Sequence, residues 1–171
     1  MFNIIQSQDD LTTLVTLDEA KRQCRLLPSD TLDDDDLTHL IAVCTDLAQT
    51  YTHRLLTRGV IVAESSEYRR SIMLPWGNVD TIDEVLLDGE EYTDYEFSPV
   101  TQKLTIPNTY SHIRITYQAG YTTIPPKVKQ GILMMISTFF NTRDDLVPGM
   151  SFNEVPINSR ACLDSVRYYV Q

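Results

Sequence analysis

Chemistry at a protein site needs side chains that converge, so the spacing of the reactive residue types decides what this chain could catalyse or bind. His39, His53 and His112 lie far apart in the chain and belong to no HExxH or paired Cys/His pattern. They therefore lack the spacing of a zinc site. Asp33, Asp34, Asp35 and Asp36 form a run of four carboxylates. A calcium loop of the EF-hand kind would add a glycine at its sixth position and a closing glutamate, and neither is present. Capping of a following helix explains the run more simply, because carboxylates favour the positive end of the helix dipole. Gly149-Met-Ser151-Phe-Asn153 has asparagine where a nucleophile elbow needs glycine, and no strand leads into it. There is no P-loop and no GxGxxG. Asp83-Glu84 and Glu90-Glu91 are neighbours on expected strands, where adjacent side chains point to opposite faces and do not converge. Cys24, Cys44 and Cys162 form no CxxC. Cys24 and Cys44 fall at apolar helical positions, where a free thiol behaves as a small hydrophobe. All three are expected to be reduced, as in a cytoplasm. No catalytic residue, cofactor or metal ligand is expected, and the chain reads as a non-enzyme.

Two aromatic features remain. Trp76 follows Pro75 after an apolar strand, and is read as a ring folded over its own sheet rather than as an exposed interface anchor. Tyr168 and Tyr169 face the same choice near the chain end, where good packing usually needs something to dock on.

The elements that must position these residues are legible from periodicity. Residues 1–15 show no clear period and read as a loose arm. Thr16 and Glu19 form a capping-box pair opening a first helix, with Pro28 and Ser29 at its end. Leu37, Leu40, Ile41, Cys44, Leu47, Ala48, Tyr51 and Leu55 recur at steps of three and four, which predicts a second helix of about 22 residues, roughly 33 Å long. Arg54 and Arg58 would sit at its negative end, and Gly59 would stop it. Val60-Ile-Val-Ala, Ser71-Ile-Met-Leu and Lys103-Leu-Thr-Ile read as strands. Val85-Leu-Leu, Asp88-Gly89 and Glu90-Glu-Tyr read as a hairpin. Ile113, Ile115 and Tyr117 alternate onto one strand face. Pro125-Pro126 opens a third helix, with Val128, Ile132, Met135, Ile136, Phe139 and Phe140 on its apolar face. Asn141 to Asn153 reads as a loop, and a short last helix is expected from about Asn158 to Arg167. The fold class is α+β, mainly α. It is a bundle of three to four helices with an antiparallel β insertion between the second and third. One domain is expected over 1–171, made of N-terminal helices (1–58), the insertion (59–121) and C-terminal helices with a tail (122–171).

Composition narrows the partners. The chain of 171 residues carries a net charge of −10, the opposite of a basic nucleic-acid groove. Residues 1–58 hold 10 acids against 5 bases, and 59–121 hold 10 against 4. Residues 122–171 hold 4 against 5, so the last third is near neutral. For any single acid the simpler reading is a solvated acidic surface, and the sharper one is a surface arranged to repel DNA or to seat a basic partner. The N-terminal Met1-Phe-Asn-Ile-Ile-Gln-Ser lacks the basic start of a secretory leader. The apolar stretch Ile132–Phe140 is too short to span a bilayer, so no membrane role is expected.

Taken in order, these segments resemble the head–tail connector (adaptor) proteins of long-tailed bacteriophages. Val15-Thr-Leu-Asp-Glu-Ala-Lys21 is similar to that family's VTLEEAK helix. Asp33-Asp-Asp-Asp-Leu-Thr-His-Leu-Ile41 resembles DDDxLxxLI, and Tyr51-Thr-His-Arg-Leu-Leu56 resembles YTGRxL. Leu74-Pro75, Val79 to Val85 and Asp88-Gly89 are similar to members with a β insertion. Ile115-Thr-Tyr-Gln-Ala-Gly-Tyr121 resembles VxYxAGY. Pro126-Lys-Val-Lys-Gln-Gly-Ile-Leu-Met-Met135 resembles PxxxKQAILLL, with Asn141-Thr-Arg143 for ENR. Val155-Pro156 through Leu163 and Arg167-Tyr168 resemble VPxxVxxLLxPYR. The match runs from Val15 to Tyr168. It departs at Gly131, at Cys162 and Asp164 beside Leu163, and at Ser165.

The resemblance implies a dodecameric ring under the portal protein with DNA passing through its centre. It also implies a stopper or tail-completion protein on the other face. The subunit would lie at the head–tail junction of a virion and in the host cytoplasm during assembly. By position it assigns portal docking to Ser165, Val166, Arg167, Tyr168, Tyr169, Val170 and Gln171. Asp33, Asp34, Asp35 and Asp36 are the candidate acidic lining of the bore or an interface. The rival readings are another head- or tail-completion protein of the stopper type, a small acidic hydrolase, and an unrelated helical interaction domain.

Overall fold

Helix-forming sequence lies at the two ends of the chain and strand-forming sequence in its middle, and the protein is α+β accordingly. The computed structural model describes residues 3–8, 14–142 and 157–168. The chain divides into two compact units, one of residues 10–52 and 123–167, the other of residues 1–9, 53–122 and 168–171.

The first unit is helical. Helix α1 (Leu17–Gln23) opens on the expected capping box: Glu19 N–H donates to Thr16 Oγ1 at 3.3 Å, and Thr16 N–H donates to the Glu19 carboxylate at 2.9 Å. It ends a turn before Pro28, with Cys24 as its last capping residue. Arg25 takes a left-handed φ of 62°. Leu26 N–H then reaches the Lys21 carbonyl at 2.9 Å and Arg25 N–H the Arg22 carbonyl at 3.2 Å. This is a Schellman ending made without glycine, so the sequence carries no stop signal there.

Helix α2 (Asp34–Thr52) has Asp34, Asp35 and Asp36 in its first turn, and buries Leu37, Ile41, Cys44 and Ala48. Thr45, Gln49 and Thr52 share that buried face, while Leu40 and Leu47 are only half-buried. Thr52 is satisfied locally, its hydroxyl donating to the Ala48 carbonyl at 2.7 Å. The helix stops at Thr52 rather than Gly59, because His53 turns left-handed with φ 52°. Its length is thus about 28 Å. Leu55, expected on the helical stripe, belongs to the sheet core instead, and Arg54 and Arg58 lie beyond the helix end.

Helix α3 (Pro126–Asn141) packs against α1, α2 and α4 (Ile157–Leu163), so it is the centre of this unit. Val128, Ile132, Met135 and Ile136 are buried, while Phe139 and Phe140 are half-buried. Gly131 is buried too, and a Cβ there would stand 3.2 Å from Cys162 Cβ and 3.3 Å from Leu163. The glycine lets α4 approach closely, which offsets its weak helix propensity. A 3-10 turn, Asp164–Val166, follows α4. Beyond Thr142, the expected loop to Asn153, Ser151 included, lies outside the described residues.

The second unit holds two antiparallel sheets. In the larger, strands run in the order β1 (Asn3–Gln8), β2 (Gly59–Ser65), β8 (Ile113–Ala119), β4 (Val79–Leu87), β5 (Glu90–Glu91). In the smaller, the order is β3 (Ser71–Met73), β7 (Lys103–Thr105), β6 (Glu96–Ser98). The loose arm expected over residues 1–15 is in part a strand instead: Asn3–Gln8 pair with β2 from Asn3↔Glu64 to Gln8↔Gly59. The middle of the chain thus forms the β insertion between α2 and α3, and the N-terminal strand joins its edge.

Ile113, Ile115 and Tyr117 alternate onto the buried face of β8 as expected, and meet Ile61 and Ala63 of β2 and Val85 of β4. Leu55, Ile72, Leu74, Leu104 and Ile106 complete the cluster. Asp88 and Gly89 take φ values of 52° and 90°, the left-handed pair a tight hairpin needs. The Asp88 carboxylate also accepts from the N–H groups of Ser111 (3.0 Å) and His112 (2.7 Å). Strand β4 shifts register against β8 between Val79 and Thr81 and again between Ile82 and Glu84. These irregularities leave both Asp83 and Glu84 exposed, against the alternation expected of neighbours.

Burial raises the Tyr117 phenol far above its ordinary value, and raises Tyr110 and Tyr168 for the same reason. The neutral phenols also bond: Tyr117 donates to the Pro75 carbonyl at 2.7 Å and Tyr110 to the Arg69 carbonyl at 2.9 Å. A phenol pKa raised on folding contributes stability that is whole below the unfolded value of about 10 and lost as pH climbs through the folded one. These groups should leave the urea midpoint level from about pH 7 to 9 and lower it from about pH 10 upward, with phenolate absorbance appearing as the chain unfolds. A midpoint unchanged at about pH 12 would contradict this account of the core.

Candidate assembly surfaces

The four aspartates do not act alike. Lys21 is buried on α1, and its ammonium lies 2.6 Å from Asp34 Oδ1 and 3.4 Å from the Pro28 carbonyl. Asp34 is therefore committed to holding the α1–α2 turn together. Asp35 and Asp36 are exposed and Asp33 is half-buried, so the outward charge of the run comes mainly from Asp35 and Asp36. A second ion pair, Lys129 with Glu19 at 2.7 Å, links α3 to the start of α1. Its hydrogen bond holds the Glu19 carboxyl below the usual range.

The C-terminal candidates separate into packed and exposed residues. Ser165 is exposed and its hydroxyl donates to the Cys162 carbonyl at 3.1 Å. Val166 and Arg167 are half-buried. The Arg167 guanidinium lies 4.5 Å from the Tyr51 ring centroid, and Arg160 lies 5.5 Å from the same ring. Each such contact contributes about 0.5–1 kcal/mol at a partly exposed site. The Tyr51 hydroxyl donates to Asp164 at 2.6 Å, and this bond raises its pKa. Tyr51 thus ties the end of α2 to the segment after α4. Periodicity placed it on an apolar stripe, and the signal for its other role was two arginines flanking Asp164.

Tyr168 is only 9% exposed. Its ring packs on Gly77, its hydroxyl points to the Leu74 carbonyl at 3.4 Å, and Arg54 lies 5.2 Å from its centroid. Of the paired tyrosines, Tyr168 is therefore spent inside its own unit. Tyr169, Val170 and Gln171 lie outside the described residues. Trp76 is half-buried against the sheet core, as its sequence context implies. The Gly77 turn was missed, although Trp76-Gly77-Asn78 after a proline is turn chemistry.

The β unit presents an acidic exterior. Glu84, Glu90, Glu91, Asp94 and Glu96 are exposed, and Asp80 is paired with Arg58 at 2.6 Å. Three aliphatic side chains are displayed to an unusual degree: Leu27 is 71%, Leu32 89% and Val100 93% exposed. Single exposed apolar residues are ordinary, but Leu27 and Leu32 share one loop.

His39, His53 and His112 are exposed, and among the described residues no three His, Cys, Asp or Glu side chains could hold a metal ion. The cysteines are free, and burial pushes the Cys44 thiol up to about 12. It is a thiol at neutral pH and a poor nucleophile. Among the described residues no helix is long and apolar enough to cross a membrane.

No family model and no curated protein sequence matches the chain. Solved structures do. This fold occurs in the neck of a gene transfer agent particle. A chain in the neck of an empty particle, computed with C6 symmetry, superposes with a TM-score of 0.77 at 14% identity, over 99% of this chain and 97% of that one. A chain in the native particle's neck, computed with C12 symmetry, gives 0.75 at 12% identity over 99% and 97%. One in the virion of the native particle gives 0.75 at 15% over 100% and 97%. The likeness spans the sequence of both units.

Proposed function

We propose that this chain is a structural subunit of a phage-like neck, a head–tail connector that works by packing and catalyses nothing. The observation that carries the reading is the full-length likeness to neck chains in particles of C6 and C12 symmetry. It agrees in kind with the resemblance found in the sequence, although the two rest on different grounds. In this reading the two units act as one connector domain, and copies close head to tail into a dodecameric ring. A heterologous contact closes into a ring whenever its rotation divides the circle.

The ring docks under a portal protein through the segment 165–171, within which Ser165 is exposed while Tyr168 is packed on Gly77 and does not itself reach the partner, and its other face receives a stopper or tail-completion protein. It resides at the head–tail junction of the virion and in the host cytoplasm before assembly. DNA passes without sequence-specific contact. The exposed Asp35 and Asp36, with Asp33 beside them, suit the lining of that passage, because a wall that repels phosphate does not hold the duplex. Asp34, paired with Lys21, does not.

Mass measurement and negative-stain imaging of the purified chain, with and without a portal ring, test this. Annular particles that bind the portal directly are expected, and Asp35→Lys with Asp36→Lys should slow DNA ejection. Rings that bind only a preassembled connector would favour a stopper. A chain that stays monomeric beside the portal would end the proposal.

A further inference from the structure

The loop between β2 and β3 runs against the charge of its unit. Residues 59–121 hold few bases, and two of them, Arg69 and Arg70, stand side by side here next to Tyr68. All three side chains reach solvent: Tyr68 is 47% exposed, the Arg69 side chain is 61% exposed, and Arg70 is exposed. Their backbone is nevertheless pinned. Glu67 N–H donates to Ser65 Oγ at 3.1 Å, and Arg69 N–H donates to the Tyr110 hydroxyl at 3.0 Å. That hydroxyl donates back to the Arg69 carbonyl, and Ile106 N–H donates to the Arg70 carbonyl at 2.9 Å. The Tyr68 ring rests edge-on against Tyr110, with centroids 5.2 Å apart. A buried tyrosine thus spends its hydroxyl on holding an exposed tyrosine and two arginines in place. Tyr and Arg are the residue types that carry binding energy at interfaces, and a fixed loop loses little freedom on binding.

The complementary charge lies across the same sheet. Ser65 ends β2 opposite Ile113, and Leu87 ends β4 opposite that same Ile113, so the basic loop and the Asp88-Gly89 hairpin leave the sheet at one end. Beyond the hairpin, Glu90 and Glu91 form the edge strand β5 and are exposed. Strands β8 and β4 stand between β2 and β5, a separation of about 14 Å at the usual strand spacing. Arg69 lies 3.0 Å from Glu67, while Arg70, Glu90 and Glu91 have no ion pair among the described residues. We propose that Tyr68, Arg69 and Arg70 of one copy of this chain contact Glu90 and Glu91 of the next. Two different patches meeting in this way make a heterologous contact, the kind that closes a ring. This rests on the ring reading above, and it names the surfaces that join the copies.

The test is sedimentation velocity of the full chain against concentration, alone and beside a portal ring, with thermal midpoints as the folding control. Multimers of the parent chain should weaken as salt rises. Arg69→Glu with Arg70→Glu, and separately Glu90→Arg with Glu91→Arg, should each weaken self-association about tenfold or more, because like charges then face each other. The two variants mixed in equal amounts should recover it, since each loop again meets the opposite charge. Should the arginine pair lower the thermal midpoint through Glu67, Arg70→Glu alone must still weaken association. Multimers indifferent to both pairs of substitutions overturn this contact and leave the ring reading standing. Weakening that mixing does not repair assigns the arginines to another partner and also overturns it, as does loss of duplex DNA binding with self-association unchanged. A parent chain that stays monomeric even beside the portal overturns the ring reading, and this contact with it.

Discussion

Gly120→Ala should cost on the order of 4 kcal/mol or more, enough to unfold a marginal chain. Gly120 follows β8 with φ 113°, a conformation L residues rarely adopt, and a Cβ there would stand 2.1 Å from the Thr57 carbonyl oxygen. It would also lie 2.7 Å from the Thr57 carbonyl carbon and 2.8 Å from Arg58 Cα. All three are backbone atoms, so no side chain can swing aside. The segment cannot retreat either, because Gly59 is in register with Ala119 and Gly120 N–H is bonded to the Asn78 carbonyl. Gly89→Ala is the natural control. Its φ is 90° but nothing lies within 4 Å of the added methyl, so only backbone strain of about 1 kcal/mol is at stake. Urea unfolding of the two variants measures the contrast, and similar midpoints would show that crowding at Gly120 has been overstated.

Ile132→Ala is the counterpart in the helical unit, with an expected loss of about 3 kcal/mol. Ile132 is fully buried in the middle of α3, the helix on which α1, α2 and α4 all pack. The substitution removes three carbons from a site whose neighbours cannot easily close the gap. Gly131 beside it already lets α4 in to near-minimal distance, so further collapse is blocked on that side. The urea midpoint should fall with little change in slope. A loss below about 1 kcal/mol would mean that α3 is not the centre of its unit.

Both variants probe positions whose importance was unequally visible beforehand. Ile132 stood out because it recurs with Val128, Met135 and Ile136 at helical spacing, a pattern contained within one segment. The same holds for the alternation of Ile113, Ile115 and Tyr117, for the Asp88-Gly89 hairpin and for the Thr16–Glu19 capping box. Gly120 gave no such signal. Its crowding comes from residues 57 and 58, which lie some sixty positions away and reach it through the pairing of β2 with β8. The candidate surfaces divide in the same way. The aspartate run was plain to read, but that Asp34 turns inward to Lys21 while Asp35 and Asp36 stay exposed depends on where the α1–α2 turn folds.

What the amino-acid order determined alone is therefore the inventory: the cores of α2 and α3, the capped start of α1, the central strand β8, one hairpin, an acidic composition and the want of a catalytic motif. These follow from interactions between residues two to four apart, which any stretch of chain carries with it. Tertiary structure alone decided that Asn3–Gln8 form an edge strand on β2, that Leu55 leaves the helix for the sheet core, that Gly131 admits α4, and that Tyr168 sits on Gly77. Each of these is a contact between distant segments, where hydrogen-bonding partners and free space are supplied by the far side, and no local pattern records them.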